Sequence, residues 1–92
     1  MKISPELQRQ INEAAKSGDV VIANFSFKDL PAPGEPMKKA VRDLLKKVES
    51  AGRPSVVNVF DNLGYFTAVG SAAFIQYLAF QPEIGRAFEN AV

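Results

Sequence analysis

Side chains that could do covalent chemistry are scarce in this chain. None of its 92 residues is a cysteine or a histidine, which excludes disulfides, thiolate metal sites, cysteine nucleophiles and the usual general base. The carboxylate best placed for chemistry is Asp61, which follows a predicted strand with Asn62, because open α/β sheets bind ligands beyond their strand ends. A turn formed with Leu63 and Gly64 would use the same carboxylate for its own backbone donors, and we favour this interpretation. The sequence therefore predicts no catalytic residue, no metal and no cofactor, with Asp61 as the candidate if the protein binds a small ligand.

Charge is distributed unevenly although the net charge is only +1. Residues 28–53 carry seven basic side chains against four acidic ones, whereas residues 54–92 carry one against three. A helix predicted over residues 37–50 gathers basic side chains in one arc, which suits an acidic protein surface or phosphates. Glu49 lies in the same arc and no aromatic residue is interleaved for base stacking, so a solvent-exposed face is favoured and nucleic acid is disfavoured. The candidate electrostatic surface consists of Lys38, Lys39, Arg42 and Lys46.

The segment over residues 62–82 contains no charged side chain. Residues 65–80 within it are compatible with one buried helix. A membrane span is not expected, since it needs about 20 strongly apolar residues and Thr67, Ser71 and Gln76 interrupt this run. Small residues recur every four positions on the predicted helix and would let another backbone approach closely, although core packing explains the same pattern. The predicted partner or dimer surface is Gly64, Phe66, Ala68, Ala72 and Tyr77.

Caps and periodicity predict the elements of the N-terminal half. Ser4 and Pro5 are typical of a helix start, and Gly18 is typical of its end. Residues 20–27 are rich in β-branched and aromatic side chains and predict a strand with one face more buried. Prolines over residues 28–36 then predict a stiff loop before the second helix. The strand face expected to be buried is Val21, Ala23, Phe25 and Phe27.

Residues 54–60 predict a second strand that is covered on both faces, because only Asn58 interrupts its apolar run. Pro82 is expected to restart the chain into a final helical turn carrying Ile84, Ala87, Phe88 and Ala91. The predicted fold is one α/β domain, α-β-α-β-α-α, with a right-handed β-α-β unit and a small, mainly parallel sheet. Two strands do not make a stable sheet, so a further strand or a second copy of the chain is expected to complete it, unless helices cover both faces of a minimal sheet.

Residues 20–78 resemble a STAS domain, the family of bacterial anti-sigma factor antagonists and transporter regulatory tails. The resemblance rests on a strand, a loop, a helix ending in Ala51-Gly52-Arg53, the strand Val56-Val57-Asn58-Val59-Phe60 and the apolar stretch that begins at Leu63-Gly64-Tyr65-Phe66. It implies a regulatory module that binds other proteins. The family's phosphorylated serine falls on Ala68 and its acidic neighbour on Thr67, so this chain departs from the family at the phosphorylation site.

These observations predict a non-enzymatic regulatory module that acts by binding another protein, as a homodimer in the cytoplasm. One alternative is an inhibitor of a host protein complex, encoded by a phage or another mobile element. A further alternative is a small-ligand or nucleic-acid-binding protein. Neither a membrane nor a cofactor is part of any of these expectations.

Overall fold

The computed structural model describes residues 2–90, which form three helices and a four-stranded sheet. In chain order the elements are α1 (Pro5–Ser17), β1 (Val20–Phe27), α2 (Glu35–Lys47), β2 (Val56–Phe60), β3 (Tyr65–Ser71), α3 (Ala72–Ala79) and β4 (Ile84–Glu89). The strand order is β2-β3-β1-β4, and every pair of neighbours is antiparallel. After α1 the chain therefore follows the ferredoxin-like order β-α-β-β-α-β, also called a split β-α-β.

The prediction of a small, mainly parallel sheet is wrong. β1 and β2 do point in the same direction, as a β-α-β unit requires, but β3 lies between them and runs antiparallel to both. β3 and β4 come from segments that the sequence pattern assigned to helices. The chain thus supplies four strands to its own sheet, and a second copy is not needed to provide the missing ones.

A tight turn explains why residues 65–71 form a strand. The amides of Leu63 and Gly64 donate to the carbonyl of Phe60 at 2.9 and 3.0 Å, and Gly64 adopts a φ of 77° that favours glycine. This turn folds β3 back onto β2 as a hairpin. Ser71 then ends β3 and begins α3, because its hydroxyl accepts a hydrogen bond from the amide of Phe74 at 3.1 Å. The helix predicted over residues 65–80 is therefore wrong in its first half and right in its second.

The predicted final helical turn is also wrong. After Pro82 the segment Ile84–Glu89 pairs with β1 as an edge strand, with Ile84 and Ala87 buried. Ala91, which belonged to the predicted helical pattern, lies outside the described residues. Backbone pairing with β1 overrides a spacing that fits either a helix or a strand over so short a segment.

The first two elements confirm their predictions. The Ser4 hydroxyl accepts a hydrogen bond from the amide of Leu7 at 3.2 Å, and Gly18 ends α1 at a φ of 80°. Strand β1 covers residues 20–27 as predicted, and α2 begins at Glu35 instead of residue 37. The prediction that β2 is covered on both faces is wrong, because β2 is an edge strand whose alternate residues are exposed.

All three helices pack on one face of the sheet. The strands contribute Val21, Ala23, Phe25, Phe66 and Ala68 to this covered face, and the helices contribute, among others, Leu7, Val41, Leu44, Ile75 and Leu78. The rings of Phe25 and Phe66 stack with their centroids 5.3 Å apart at the centre of the core. Within residues 2–90 no element covers the opposite face. None of the helices in this described part of the chain has the length and apolar character needed to cross a membrane.

Candidate functional site

The uncovered side of the sheet, which we call the open face, presents side chains that alternate with the buried ones along each strand. They form three rows that cross the strands: an aliphatic row, a polar row and an aromatic row. The rows are Ile22, Val56 and Val69; then Asn24, Asn58 and Thr67; then Phe60, Tyr65 and Arg86, together with Phe88, whose ring contacts Tyr65 although its register position is opposite Asn24.

The aliphatic row is exposed although it lies across three strands. Val69 in β3 is directly opposite both Val56 and Ile22 in the register of the sheet. Val56 is 49% exposed and Ile22 is 41% exposed. Cross-strand pairs of β-branched residues stabilise the sheet itself, and here they also leave an apolar strip in contact with water.

The polar row is satisfied internally at its centre. The Thr67 hydroxyl donates to Asn24 Oδ1 at 2.6 Å, and the side-chain amide nitrogen of Asn90, Nδ2, donates to the same oxygen at 3.2 Å. Asn24 Nδ2 donates in turn to the carbonyl of Glu89 at 3.3 Å. Asn24 and Thr67 are buried, whereas Asn58 at the β2 end of the row is exposed. The side-chain amide of Asn24 and the hydroxyl of Thr67 therefore connect β1, β3 and the end of β4. The side-chain amide of Asn58 is exposed to solvent.

The aromatic row is a continuous series of ring contacts. The ring centroids of Phe60 and Tyr65 are 5.2 Å apart. Those of Tyr65 and Phe88 are 5.9 Å apart, and these two rings form a T-shaped pair. The guanidinium carbon of Arg86 sits 5.2 Å from the centroid of the Phe88 ring, a cation–π contact. A shallow depression of about 470 Å³ opens beside Tyr65, Arg86 and Phe88. Arg86 is the one charged residue in the three rows.

The nearest carboxylate is turned toward the helices. Glu89 is opposite Ala23 in the register and therefore points to the covered face. Its Oε1 accepts a hydrogen bond from the Ser4 hydroxyl at 2.7 Å, which lowers the pKa of this carboxyl group. Arg86 also contributes to the lowering of the Glu89 pKa and lines the depression together with Glu89, and its exposed guanidinium is accessible to a group that approaches the open face.

The residues predicted as a partner or dimer surface are not brought together. Phe66 and Ala68 lie in β3 and Ala72 lies at the start of α3, all three buried against this chain's own core. Gly64 is in the turn between β2 and β3, and Tyr77 is 48% exposed on α3. The strip of small residues depended on one helix over residues 65–80, which the structure divides into a strand and a short helix.

Tyr77 belongs to a second, smaller apolar surface. It lines a groove between α1 and α3 together with Ile11, Ala15, Ala73 and Phe80. The Phe80 side chain is also exposed. This groove lies on the helical side of the molecule, so it is separated from the open face by the whole thickness of the core.

The predicted basic arc is exposed on α2, and part of its charge is balanced locally. The Lys39 ammonium group is 2.8 Å from the Asp43 carboxylate, which lowers the pKa of Asp43. Arg42 is 3.6 Å from the carboxylate of Glu35. Lys38 and Lys46 extend the arc along the same exposed helix. The arc and the open face are on different sides of the molecule.

Asp61 has a structural contact. Its Oδ2 accepts a hydrogen bond from the amide of Gly34 at 2.7 Å, which ties the end of β2 to the start of α2. The carboxylate thus binds a backbone donor, as the structural interpretation expected, but the donor belongs to the start of α2 and not to the turn of Asp61 itself. Within residues 2–90 no group of three or more His, Cys, Asp or Glu residues is arranged to hold a metal ion.

The pattern of β1 alone could have identified one part of the open face, since residues that alternate with the predicted buried face, such as Asn24, must lie on the other side. Tyr65, Arg86 and Phe88 were missed because their segments were interpreted as helices. The signal available for Tyr65 was the turn at Gly64 between two apolar runs, which is typical of a hairpin.

Searches of protein-family models, of curated proteins and of solved structures find no match for this chain. The resemblance to STAS domains stays a prediction. The structure places the two positions that carry its phosphorylation site in β3, with Ala68 buried under the helices and Thr67 in the polar row of the open face.

Proposed function

We propose that this protein is a non-enzymatic interaction module that binds a partner protein through its open face. The observation that carries the proposal is the exposure of large apolar side chains on both sides of the polar row: Ile22, Val56 and Phe60 are each at least 41% exposed. The solvent side of an antiparallel sheet is ordinarily polar. Within the open face, the aliphatic row forms a continuous apolar strip across three strands, and such strips are typical of interaction sites.

The rows define the chemistry of the partner. A flat apolar surface fits the aliphatic row, and burying it contributes about 25 cal/mol per Å² of apolar area. An acidic group fits opposite Arg86, whose guanidinium already lies over the Phe88 ring. Aromatic residues and arginine are the residue types that contribute most at protein interfaces. The aromatic row is therefore expected to supply most of the affinity, and Asn58 a peripheral hydrogen bond.

The test is site-specific photo-crosslinking in a lysate of the source organism. A photoreactive amino acid replaces Ile22 on the open face in one variant and Tyr77 in the α1–α3 groove in another. We expect a discrete adduct with the probe at position 22, and we expect Arg86→Ala in the same chain to reduce its yield several-fold. An adduct only with the probe at position 77 would move the binding surface to the groove and overturn the proposal.

A second candidate function is the binding of single-stranded nucleic acid on the same face. The specific observation that favours it is the aromatic row, because the exposed Phe60, the half-buried Tyr65 and Phe88 and an adjacent arginine are groups that can stack on bases. It ranks second because Arg86 alone supplies positive charge in these rows, whereas such binding depends on several cations. Fluorescence anisotropy with single-stranded oligonucleotides at low salt tests it, and salt-sensitive binding that Phe88→Ala removes would support it.

The identity of the partner separates a cellular regulator from an inhibitor carried by a phage or mobile element. Both would use the open face, so we leave this distinction to identification of the crosslinked protein by mass spectrometry. For either role we propose a cytoplasmic site of action.

A further inference from the structure

The two edges of the sheet differ in what covers them. At the β4 edge, the N-terminal residues form a short parallel bridge to Ala87. The backbone amide of Ala87 donates to the carbonyl of Lys2 at 2.8 Å, and the backbone amide of Ser4 donates to the carbonyl of Ala87 at 2.9 Å. At the β2 edge, no segment of residues 2–90 pairs with the outer side of Val56–Phe60. An open edge presents unpaired backbone groups that can pair with another strand.

The sequence of β2 carries none of the usual features that prevent such pairing. Lysine, proline and bulges typically protect the edges of sheets. Val56–Phe60 reads Val-Val-Asn-Val-Phe, with neither a charged residue nor a proline within the strand, and it pairs with β3 without a bulge. Its composition is that of a strand with high β propensity.

The charges that flank β2 are complementary to those of a second copy. Arg53 precedes the strand and Asp61 follows it, with opposite charges. Both are on the helical side of the sheet: Arg53 is 3.7 Å from Glu49 just after α2, and Asp61 binds the amide of Gly34 at the start of α2. An antiparallel copy would place each Arg53 near the Asp61 of the other copy. A parallel copy would place like charges together, which is unfavourable.

We propose that two copies of this chain pair through β2, antiparallel and about a two-fold axis at Asn58, to form one continuous sheet. In this register Val56 of one copy is opposite Phe60 of the second copy. Arg53 is then diagonal to Asp61 of the second copy, a separation that long side chains span. The open faces of both copies stay free, so this inference goes beyond the proposed function and does not depend on it.

The size of the contact sets the expected strength. β2 has 5 residues, and so short a strand pair buries less than a standard protein interface. We therefore expect a dissociation constant in roughly the micromolar range at low salt.

The experiment is sedimentation velocity of the full chain over a concentration series at low ionic strength. Two charge reversals, Arg53→Glu and Asp61→Lys, are prepared separately and also mixed in equal amounts. Each variant alone brings like charges together twice in the dimer, and we expect its dissociation constant to rise by about tenfold. The mixture restores an attractive pair at both contacts, so a heterodimer of near wild-type affinity is expected.

Two further variants distinguish a weaker dimer from a destabilised fold. Asp61→Lys loses the hydrogen bond to Gly34, whereas Arg53 is 81% exposed and Asn58 is also exposed. Asn58→Lys places two ammonium groups at the two-fold axis, and we expect it to weaken the dimer without changing the urea unfolding midpoint. Ile22→Asp on the open face is the matched control and should leave the dimer intact.

A chain that stays monomeric at all concentrations would overturn the inference. So would a dimer that Arg53→Glu and Asn58→Lys leave unchanged. A dimer weakened only by Ile22→Asp would assign self-association to the open face and likewise overturn pairing through β2. The mass of the adduct formed at position 22 shows whether a different protein or a second copy of this chain is bound there, so failure here is distinguishable from failure of the proposed function.

Discussion

The two faces of the sheet are similar in residue type and opposite in environment. Phe25 and Phe66 on the covered face are fully buried, whereas Phe60 and Ile22 on the open face are each 41% exposed. Along β3, Tyr65 and Phe66 are neighbours in sequence but lie on different faces. Apolar character alone therefore does not decide which side becomes the core. The difference is made by the position of the helices.

Connectivity explains why the helices share a face. The crossover from β1 through α2 moves toward one edge of the sheet, and the crossover from β3 through α3 moves toward the other. Because β1 and β3 run in opposite directions, two crossovers of the same hand place their helices on the same side. α1 packs against α3 on that side, and no element of residues 2–90 covers the opposite face.

The largest expected effect comes from truncating a ring on each face. Phe66→Ala removes a buried ring that stacks on Phe25, and we expect a loss of about 3–5 kcal/mol in the free energy of unfolding. Phe60→Ala, the matched change on the open face, should cost about 1 kcal/mol, since it loses mainly a contact with Tyr65. Urea unfolding measured at low protein concentration checks both. Equal losses of unfolding free energy would mean that the open face is covered in solution, and they would contradict the difference in environment between the two faces.

A smaller effect is expected at the buried part of the open face. Thr67→Val keeps the volume of the side chain but removes the hydroxyl that donates to Asn24 Oδ1 at 2.6 Å. We expect a loss of about 1 kcal/mol in the free energy of unfolding. Ser55→Ala is the control, because its exposed hydroxyl contacts a carbonyl at 3.3 Å and its loss should be barely measurable. A Thr67→Val chain as stable as wild type would show that the polar row does not hold the strands together.

The smallest expected effect is electrostatic and depends on pH. The Lys47 ammonium group is 2.9 Å from the Glu83 carboxylate and lowers the pKa of that group. A lowered carboxyl pKa stabilises the fold at pH values above the ordinary glutamate pKa of about 4.3, and the stabilisation is lost as the pH falls through the folded-state value. Both side chains are substantially exposed, so Lys47→Met should change stability by less than about 1 kcal/mol at pH 7.

Urea unfolding of wild type and Lys47→Met at pH 7 and at pH 3 measures this difference. The two chains should differ slightly at pH 7 and converge at pH 3, and 1 M salt should also reduce the difference. A difference that persists at pH 3 would point to lost packing of the lysine stem instead of a lost ion pair. A loss of stability as large as that of Phe66→Ala would show that an exposed ion pair contributes as much to the fold as a buried ring, contrary to the expectation that burial determines the size of the effect.

The elements that could be predicted are those with local signals. Ser4 and Gly18 bound α1, and the buried alternation from Val21 to Phe25 identified β1. Each depends on interactions within a few residues or on a clear periodicity, whereas Asp61 binds the distant amide of Gly34 and not the donors of its own turn. The open face was harder to predict, because it is assembled from four strands. Only for β1 did the sequence pattern correctly identify which side chains face the core.

The segment that was misassigned shows the limit of periodicity. Tyr65–Ser71 and Ala72–Ala79 form one uncharged apolar run, and over so few residues an apolar run fits a helix or a buried strand equally well. Two local features mark the boundary in the structure: Ser71 caps α3, and Gly70 leaves room for the Phe74 ring, which would lie 3.0 Å from an added Cβ. The second of these depends on a contact that exists only in the folded chain.

By itself, the sequence determined the absence of thiol and imidazole chemistry, the first helix with its caps, the first strand, the amphipathic second helix and the uneven distribution of charge. These follow from composition and from hydrogen bonds or periodicities that are local. The tertiary structure alone decided that β3 lies between β1 and β2, that Ile84–Glu89 is a strand, and that one apolar face stays exposed. The physical reason is that strand pairing satisfies backbone groups between distant segments, so the partner strand, and not the local pattern, selects the conformation.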